Sequence, residues 1–348
     1  MASDEARIRV TARFRPNVLT LSGVFFVVLV LLWLGVNFVK TPSEFYGLFL
    51  IGLTNGSVYA LVALGYSLVY GILELINFAH GDVFMLGGML IATLTVSFGL
   101  AGVSPAVLWL GILGMLAIAM IFCATINTTI ELVAYRRLRN APRLAPLITA
   151  IGMSFILQNV GLLWKGARPT SVPDILPHGT VFTLGGIAYT WNRFIVVLFT
   201  IPVLLALIYL VQQTKQGKAM RATAQDREAA SMMGINVNRT ISFTFFIAGS
   251  LAGAAGLLYA LYFTNVRFDE GFRVGLIAFT AAVLGGIGNL PGAVLGALVI
   301  AMVESFNNGL NWATPGSDWS QTIIFSILIL ILVFRPEGLL GERTPEGT

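Results

Sequence analysis

Polar residues are scarce in this chain, so those that interrupt its apolar runs are the first candidates for chemistry. The segment Glu74-Leu75-Ile76-Asn77-Phe78-Ala79-His80-Gly81-Asp82 places an amide, an imidazole and a carboxylate within six residues of one another. A His close to an Asp could relay protons, because imidazole titrates near neutral pH. The competing reading is structural. Buried polar groups are satisfied internally as a rule, and Asn77, His80 and Asp82 could bond one another and the free backbone of a tight turn. The structural reading is the expectation, with a role for these residues in a substrate path as the alternative. Glu131, beside a basic loop, reads as an interfacial partner for Arg136. Glu304, followed by Asn307, Asn308 and Asn311, reads as the polar end of a helix near the outer face, with a hydrogen bond to neighbouring helices as one reading and a functional role as the other. Two His and one Cys exclude a His/Cys metal cluster and an intrachain disulfide. There is no Gly-x-x-x-x-Gly-Lys-Ser/Thr loop for a nucleotide. No cofactor and no catalytic residue is expected; a membrane-embedded enzyme would rest on His80 and Asp82 alone.

The elements that must carry these residues follow from composition. The chain of 348 residues is 57% hydrophobic and 11% charged, whereas soluble domains carry about 25% charged residues. That defines an all-α polytopic membrane protein. The net charge of +5 does not point to nucleic acid, because Lys and Arg gather in alternate loops, as the positive-inside rule requires. Charge-free runs mark the spans, each needing about 20 residues. Pro16 to Val39, preceded by Arg7, Arg9, Arg13 and Arg15, is too long for a signal-peptide core and lacks a cleavage site. It is predicted to be an uncleaved first helix. Phe45 to Leu73 follows. The run from Val83 to Ile130 divides at Gly99, Gly102 and Pro105. Then come Leu144 to Trp164, a Pro- and Gly-rich segment from Lys165 to Arg193 that reads as a loop or short hairpin, and Phe194 to Thr214. Thr240 to Val266 is next. Val274 to Val303 is broken at Gly285, Gly286 and Gly288, and Trp319 to Phe334 is last. The total is nine or ten transmembrane helices, some discontinuous, with both termini cytoplasmic. The expected parts are a cytoplasmic tail over 1–18, an extra N-terminal helix over 19–40, a transmembrane bundle over 44–334 and a cytoplasmic tail over 335–348. Recurrent glycines such as Gly249, Gly253 and Gly256 read as close helix packing. The Gly285 to Gly292 cluster is the best candidate for a broken helix at the midplane, where transport sites form.

One long polar insertion remains, Gly217 to Asn236. Alanines and methionines there supply helix propensity and an apolar face. Asp226 can cap a short helix, and Gly234 can end one in the left-handed conformation. The segment 215–238 therefore reads as a cytoplasmic helical hairpin that offers a patch to a soluble partner. A merely solvated loop is the alternative.

Several motifs, in order, resemble branched-chain amino acid ABC importer permeases of the H type. They are Asn55-Gly56-Ser57-Val58-Tyr59-Ala60-Leu61, Ala63 to Gly71, Ile76 to Asp82, Ile148 to Ser154, Leu157-Gln158-Asn159, Gly217 to Arg239, Ala278 to Gly288 and Arg335-Pro336-Glu337-Gly338. The helix ahead of Phe45 departs from the pattern. The resemblance implies a transporter subunit in the bacterial inner membrane, paired with a second, related permease of the M type. Two cytoplasmic ABC ATPases and a periplasmic substrate-binding protein complete such a system, and branched-chain (leucine, isoleucine, valine) or similar hydrophobic amino acids are carried inward. It also implies that Arg221, Ala222, Gln225, Asp226, Glu228, Ala229 and Gly234 couple to the ATPase. Polarity and helix breaks mark Asn55, Asn77, His80, Asp82, Gln158, Gly285, Gly286 and Gly288 as translocation-path candidates. Relatives of such permeases handle urea or short amides, and a passive channel would share the broken helices without needing the hairpin.

Overall fold

A computed structural model describes residues 18–341 except 101, 140, 143, 178, 313 and 336, with side chains from residue 28 onward. The N-terminal arginines, His178, Arg143, Pro336 and the tail from 342 lie outside the described residues. The chain begins with α1 (Val18–Lys40), joined through Thr41 to α2 (Pro42–Leu73), a helix of 32 residues. α2 ends where Glu74 adopts a left-handed φ of 54°. α3 (Ala79–Ser97) and α4 (Pro105–Ile130) divide the first long apolar run at the expected glycines and proline. α4 continues through a π-helical turn over Glu131–Tyr135 and a 3-10 turn over Arg136–Leu138. α5 (Leu144–Lys165) is followed by β1 (Thr170–Ser171), then by β2 (Thr180–Leu184) and β3 (Ile187–Thr190). β2 and β3 form an antiparallel hairpin turned by Gly185 and Gly186, at φ 57° and 84°. Both central residues of that turn need positive φ, which glycine adopts freely.

α6 (Trp191–Gln213) leads into α7 (Lys215–Gln225) and α8 (Arg227–Met232), which are too short and polar to cross a bilayer. α9 (Val237–Phe263) is followed by β4 (Asn265–Val266), which pairs with β1. α10 (Glu270–Gly285), α11 (Leu290–Gly309) and α12 (Ser320–Phe334) complete the bundle. Among the described residues, eight helices are long and apolar enough to span a membrane. Two further helices fall below that length: α10 has 16 residues, and the described apolar stretch of α1 is Val28–Lys40.

α2, α3 and α9 form the centre; more than 70% of each span is buried, against 22% or less for α4, α5, α6 and α12. α2 lies along α11, and α4 along α9. Glycines permit these approaches. A Cβ at Gly249 would come within 2.6 Å of the Cys123 carbonyl on α4, and one at Gly256 within 2.7 Å of the Gly88 nitrogen on α3. Side chains there would force the backbones apart.

The break at Gly286 is a correction to the expectation. It separates two antiparallel helices at one end of the bundle; it does not interrupt a helix in the middle. Gly286 and Gly288 take φ of 104° and 90°. The turn rests on the end of α2 at Gly71, on α7, and on the C-terminal segment, where Leu339 and Leu340 donate to the carbonyls of Leu284 and Gly285. The reason is length: α10 has already run about 24 Å from Glu270 at 1.5 Å per residue.

Candidate functional site

Two buried polar chains meet near the start of α3. Because α2 ends at Leu73 while His80 sits beside Gly65, α3 begins about two helical turns inside the bundle end. Its first polar side chains are thereby fully buried. The expected bonding among Asn77, His80 and Asp82 does not occur. Asn77 lies in the non-helical connector ahead of α3, and His80 and Asp82, two residues apart on the helix, point about 200° apart, so the three side chains reach different neighbours. The Asn77 Nδ2 donates to Asn127 Oδ1 at 3.3 Å, and its Oδ1 accepts from Tyr135 Oη at 2.7 Å. Asn127 Nδ2 donates in turn to the Phe245 carbonyl of α9 at 2.7 Å. This chain closes on itself and ties α4, α9 and the entry to α3 together.

His80 is enclosed by Gly65 and by the ring of Tyr66, 5.0 Å away between centroids and edge-on. Neither imidazole nitrogen makes a hydrogen bond of good geometry among the described residues, although the Val62 carbonyl lies close. Nothing connects it to Asp82, so the geometry provides no His–Asp proton relay. Asp82 faces α5 instead. Ser154 Oγ donates to Asp82 Oδ2, and Gln158 Nε2 donates to Ser154 Oγ at 3.1 Å. Among the described residues the second oxygen of Asp82 makes no hydrogen bond of good geometry, although the Gln158 side chain lies close. Both chains reach a cavity: Tyr135, at the end of the Asn77 chain, lines one of about 370 Å³. Gln158 lines a cavity of about 340 Å³ between α5, α10 and α12. Asn55 is half-buried with its amide oxygen unpaired, but no hydrogen bond joins it to either chain. Gly285, Gly286 and Gly288 lie at the α10–α11 turn, apart from Asp82 and Gln158. Ser154 carried a signal that the sequence reading passed over: it precedes Gln158 by one helical turn, on the same face.

A second cluster sits at the far end of α10 from that turn. Tyr59 Oη donates to Glu304 at 2.8 Å, Tyr259 Oη donates to Glu270 at 2.7 Å, and Arg273 pairs with Glu270 and approaches Glu304 at 3.9 Å. Glu304 is bonded to neighbouring helices, the first of its two readings. Glu131 differs from expectation in depth: it is fully buried, held by Arg136 at 3.2 Å, by Arg139 and by Ser242 at 2.7 Å.

The polar hairpin is built by local capping. Thr214 Oγ1 accepts from the Gly217 amide at 3.0 Å to start α7. Asp226 Oδ1 accepts from the amides of Glu228 and Ala229 at 2.8 and 3.0 Å to start α8. Gly234, at φ 82°, ends it. Arg221, Gln225, Asp226, Glu228 and Gly234 are exposed, with Ala222 and Ala229 half-buried. Met232 and Met233 are more than 80% exposed at the tip. Met220, Thr223 and Ala230 are buried beneath. Arg227 fixes the hairpin to the bundle. Its guanidinium donates to the carbonyls of Leu73 and Ile72 at 3.2 and 3.4 Å, the last turn of α2, where cations are favoured.

A bundle of glycine-packed helices with a capped, polar double helix at one end and buried polar chains within defines a multi-pass membrane transport protein. The comparisons narrow this. The family "Branched-chain amino acid transport system / permease component" matches residues 48–332, and the chain belongs to that family. It is 38% identical over 298 residues to the high-affinity branched-chain amino acid transport system permease protein BraD of Pseudomonas aeruginosa, covering 85% of this chain and 95% of that one. It is 36% identical over 301 residues to the corresponding LivH protein of Escherichia coli K12, with the same coverage. A more distant similarity, 25% over 271 residues, covers 74% of this chain and 69% of the fructose import permease protein FrcC of Rhizobium meliloti. No solved structure matches the chain. α1 precedes the matched region.

Proposed function

We propose that this chain is a permease subunit of an ATP-driven importer that carries leucine, isoleucine, valine or similar amino acids inward across the bacterial inner membrane. It pairs with a related M-type permease, receives substrate from a periplasmic binding protein, and is driven by two cytoplasmic ATPases that hydrolyse the nucleotide. The observation that carries this reading is the α7–α8 hairpin. A passive channel needs no exposed, separately capped double helix with two bare methionines at its tip. The Lys and Arg concentrated around it and in the 136–139 turn favour the cytoplasm for that end, and a cytoplasmic position of both termini is part of the same proposal.

Movement of the ATPases pushes α8. Arg227 carries the displacement into the last turn of α2, and residues 74–78 pass it to α3 with His80 and Asp82. A two-state element biased at one end in this way is what coupling between distant sites requires. In the assembled complex, Asp226→Pro or Glu228→Lys should abolish the stimulation of ATPase activity by loaded binding protein. Stimulation that persists in both variants would sink the proposal. A pull-down from native membrane should recover an ATPase and a second permease with the tagged chain.

A further inference from the structure

The cavity beside Gln158 has no role assigned so far. It is a cleft of about 340 Å³, floored by α10 and walled by α5 and α12, within the range of small-ligand sites. Its mouth carries both signs of charge. Arg267 and Asp269 pair there, both partly exposed, and their hydrogen bonds push the Arg267 pKa up, so it stays cationic. Arg273 lines the same space. Below the mouth the wall turns aliphatic and aromatic, with Leu276, Ile277 and Ile324. At its back, Gln158 begins the chain through Ser154 to Asp82, whose second oxygen is buried in the bundle.

We infer that this cleft is a substrate-binding station of the permease itself, shaped for the zwitterion of an aliphatic amino acid. The inference rests on the importer reading above and names the site within it. The Arg267 guanidinium, which Asp269 holds at the surface, takes the substrate carboxylate. Asp269 and the Gln158 amide oxygen face its ammonium group. Leu276 and Ile277 contact the branched side chain, whose burial contributes about 25 cal/mol per Å². The Ser154–Asp82 chain gives the ammonium an onward acceptor when α5 moves. A helix of a partner permease is a poorer occupant, because Arg267, Asp269, Gln158 and Gln321 would then be desolvated against an apolar surface.

The test uses the complete reconstituted transporter, with radiolabelled leucine for uptake and a diazirine analogue of leucine for labelling. Leu276→Trp fills the cleft from a half-buried position, and Gln158→Leu removes the amide without changing bulk much. Each should lower leucine uptake about tenfold or more while the yield and melting temperature of the assembled complex stay those of the unaltered one. The diazirine should label peptides covering 272–277 or 321–325, and excess leucine should suppress that labelling. If the unaltered transporter imports leucine but both variants match it and label falls elsewhere, the cleft inference is overturned and the importer reading stands. Cross-linking of a partner-permease helix into the cleft, with no leucine-suppressible label, overturns the inference equally. If the unaltered complex imports no aliphatic amino acid at all, both fall.

Discussion

The two polar chains that flank the start of α3 begin only five residues apart, at Asn77 and at Asp82, yet they are built differently. The Asn77 chain is closed: its amide, the Asn127 amide and the Tyr135 hydroxyl find partners on α4 and α9. The Asp82 chain is open: one carboxylate oxygen lacks a hydrogen bond of good geometry among the described residues. Closed networks of satisfied groups hold helices together, whereas an incompletely paired buried carboxylate is costly and persists where it serves a path. Proximity in sequence therefore says little about shared purpose at this point. What separates the roles is the direction in which each side chain leaves the start of α3.

The comparison can be broken from either side. The largest effect on stability should come from Asn127→Leu, which strips the Phe245 carbonyl and the Asn77 amide of their partners. We expect a loss of about 2–4 kcal/mol, read as a lowered melting temperature of the detergent-solubilised complex. Gly65→Ala should follow at about 1–3 kcal/mol, because the new methyl group meets the His80 ring in a full core. Adding His80→Ala should recover part of that loss, with a coupling of about 1 kcal/mol between the two sites. If the double variant is merely additive, His80 is not seated where the packing places it. Smallest of all in stability, and opposite in character, is Asp82→Asn. An amide oxygen can still accept from Ser154, so melting should shift by less than about 0.5 kcal/mol while leucine uptake falls about tenfold. Equal losses of stability and uptake at Asn127 and Asp82 would erase the distinction between the chains.

Much of this architecture was legible from the order of residues. Charge-free runs located the spans, Gly99, Gly102 and Pro105 placed the α3–α4 turn, and Asp226 and Gly234 bounded α8 by local capping chemistry. These features depend on near neighbours in the chain. Three others did not yield. The Asn77, His80 and Asp82 side chains scatter because the helix starts only at Ala79: Asn77 is left on the connector, and His80 and Asp82 point to different sides of α3. The Gly286–Gly288 break falls at a bundle end because α10 starts deep, and that start is fixed by packing against α3 at Gly81 and Gly271. Arg227 was visible as one charge among several. Its grip on the Ile72 and Leu73 carbonyls spans more than 150 residues of sequence and has no local signature.

The first helix carries a consequence for how the molecule is made. Trp33 and Asn37 donate to the carbonyl of Trp312, and Lys40 lies 4.5 Å above the Trp312 ring. The partners Trp33 and Trp312 are 279 residues apart. At about 5–20 residues per second of synthesis, α1 leaves the ribosome on the order of 15–55 s before its anchor exists. Throughout that interval it has only the adjoining turns of α2 beside it, through contacts such as Phe38 with Phe45 and Tyr46. The docking of α1 thus waits on a residue made long after it, and reports that translation has passed the end of α11.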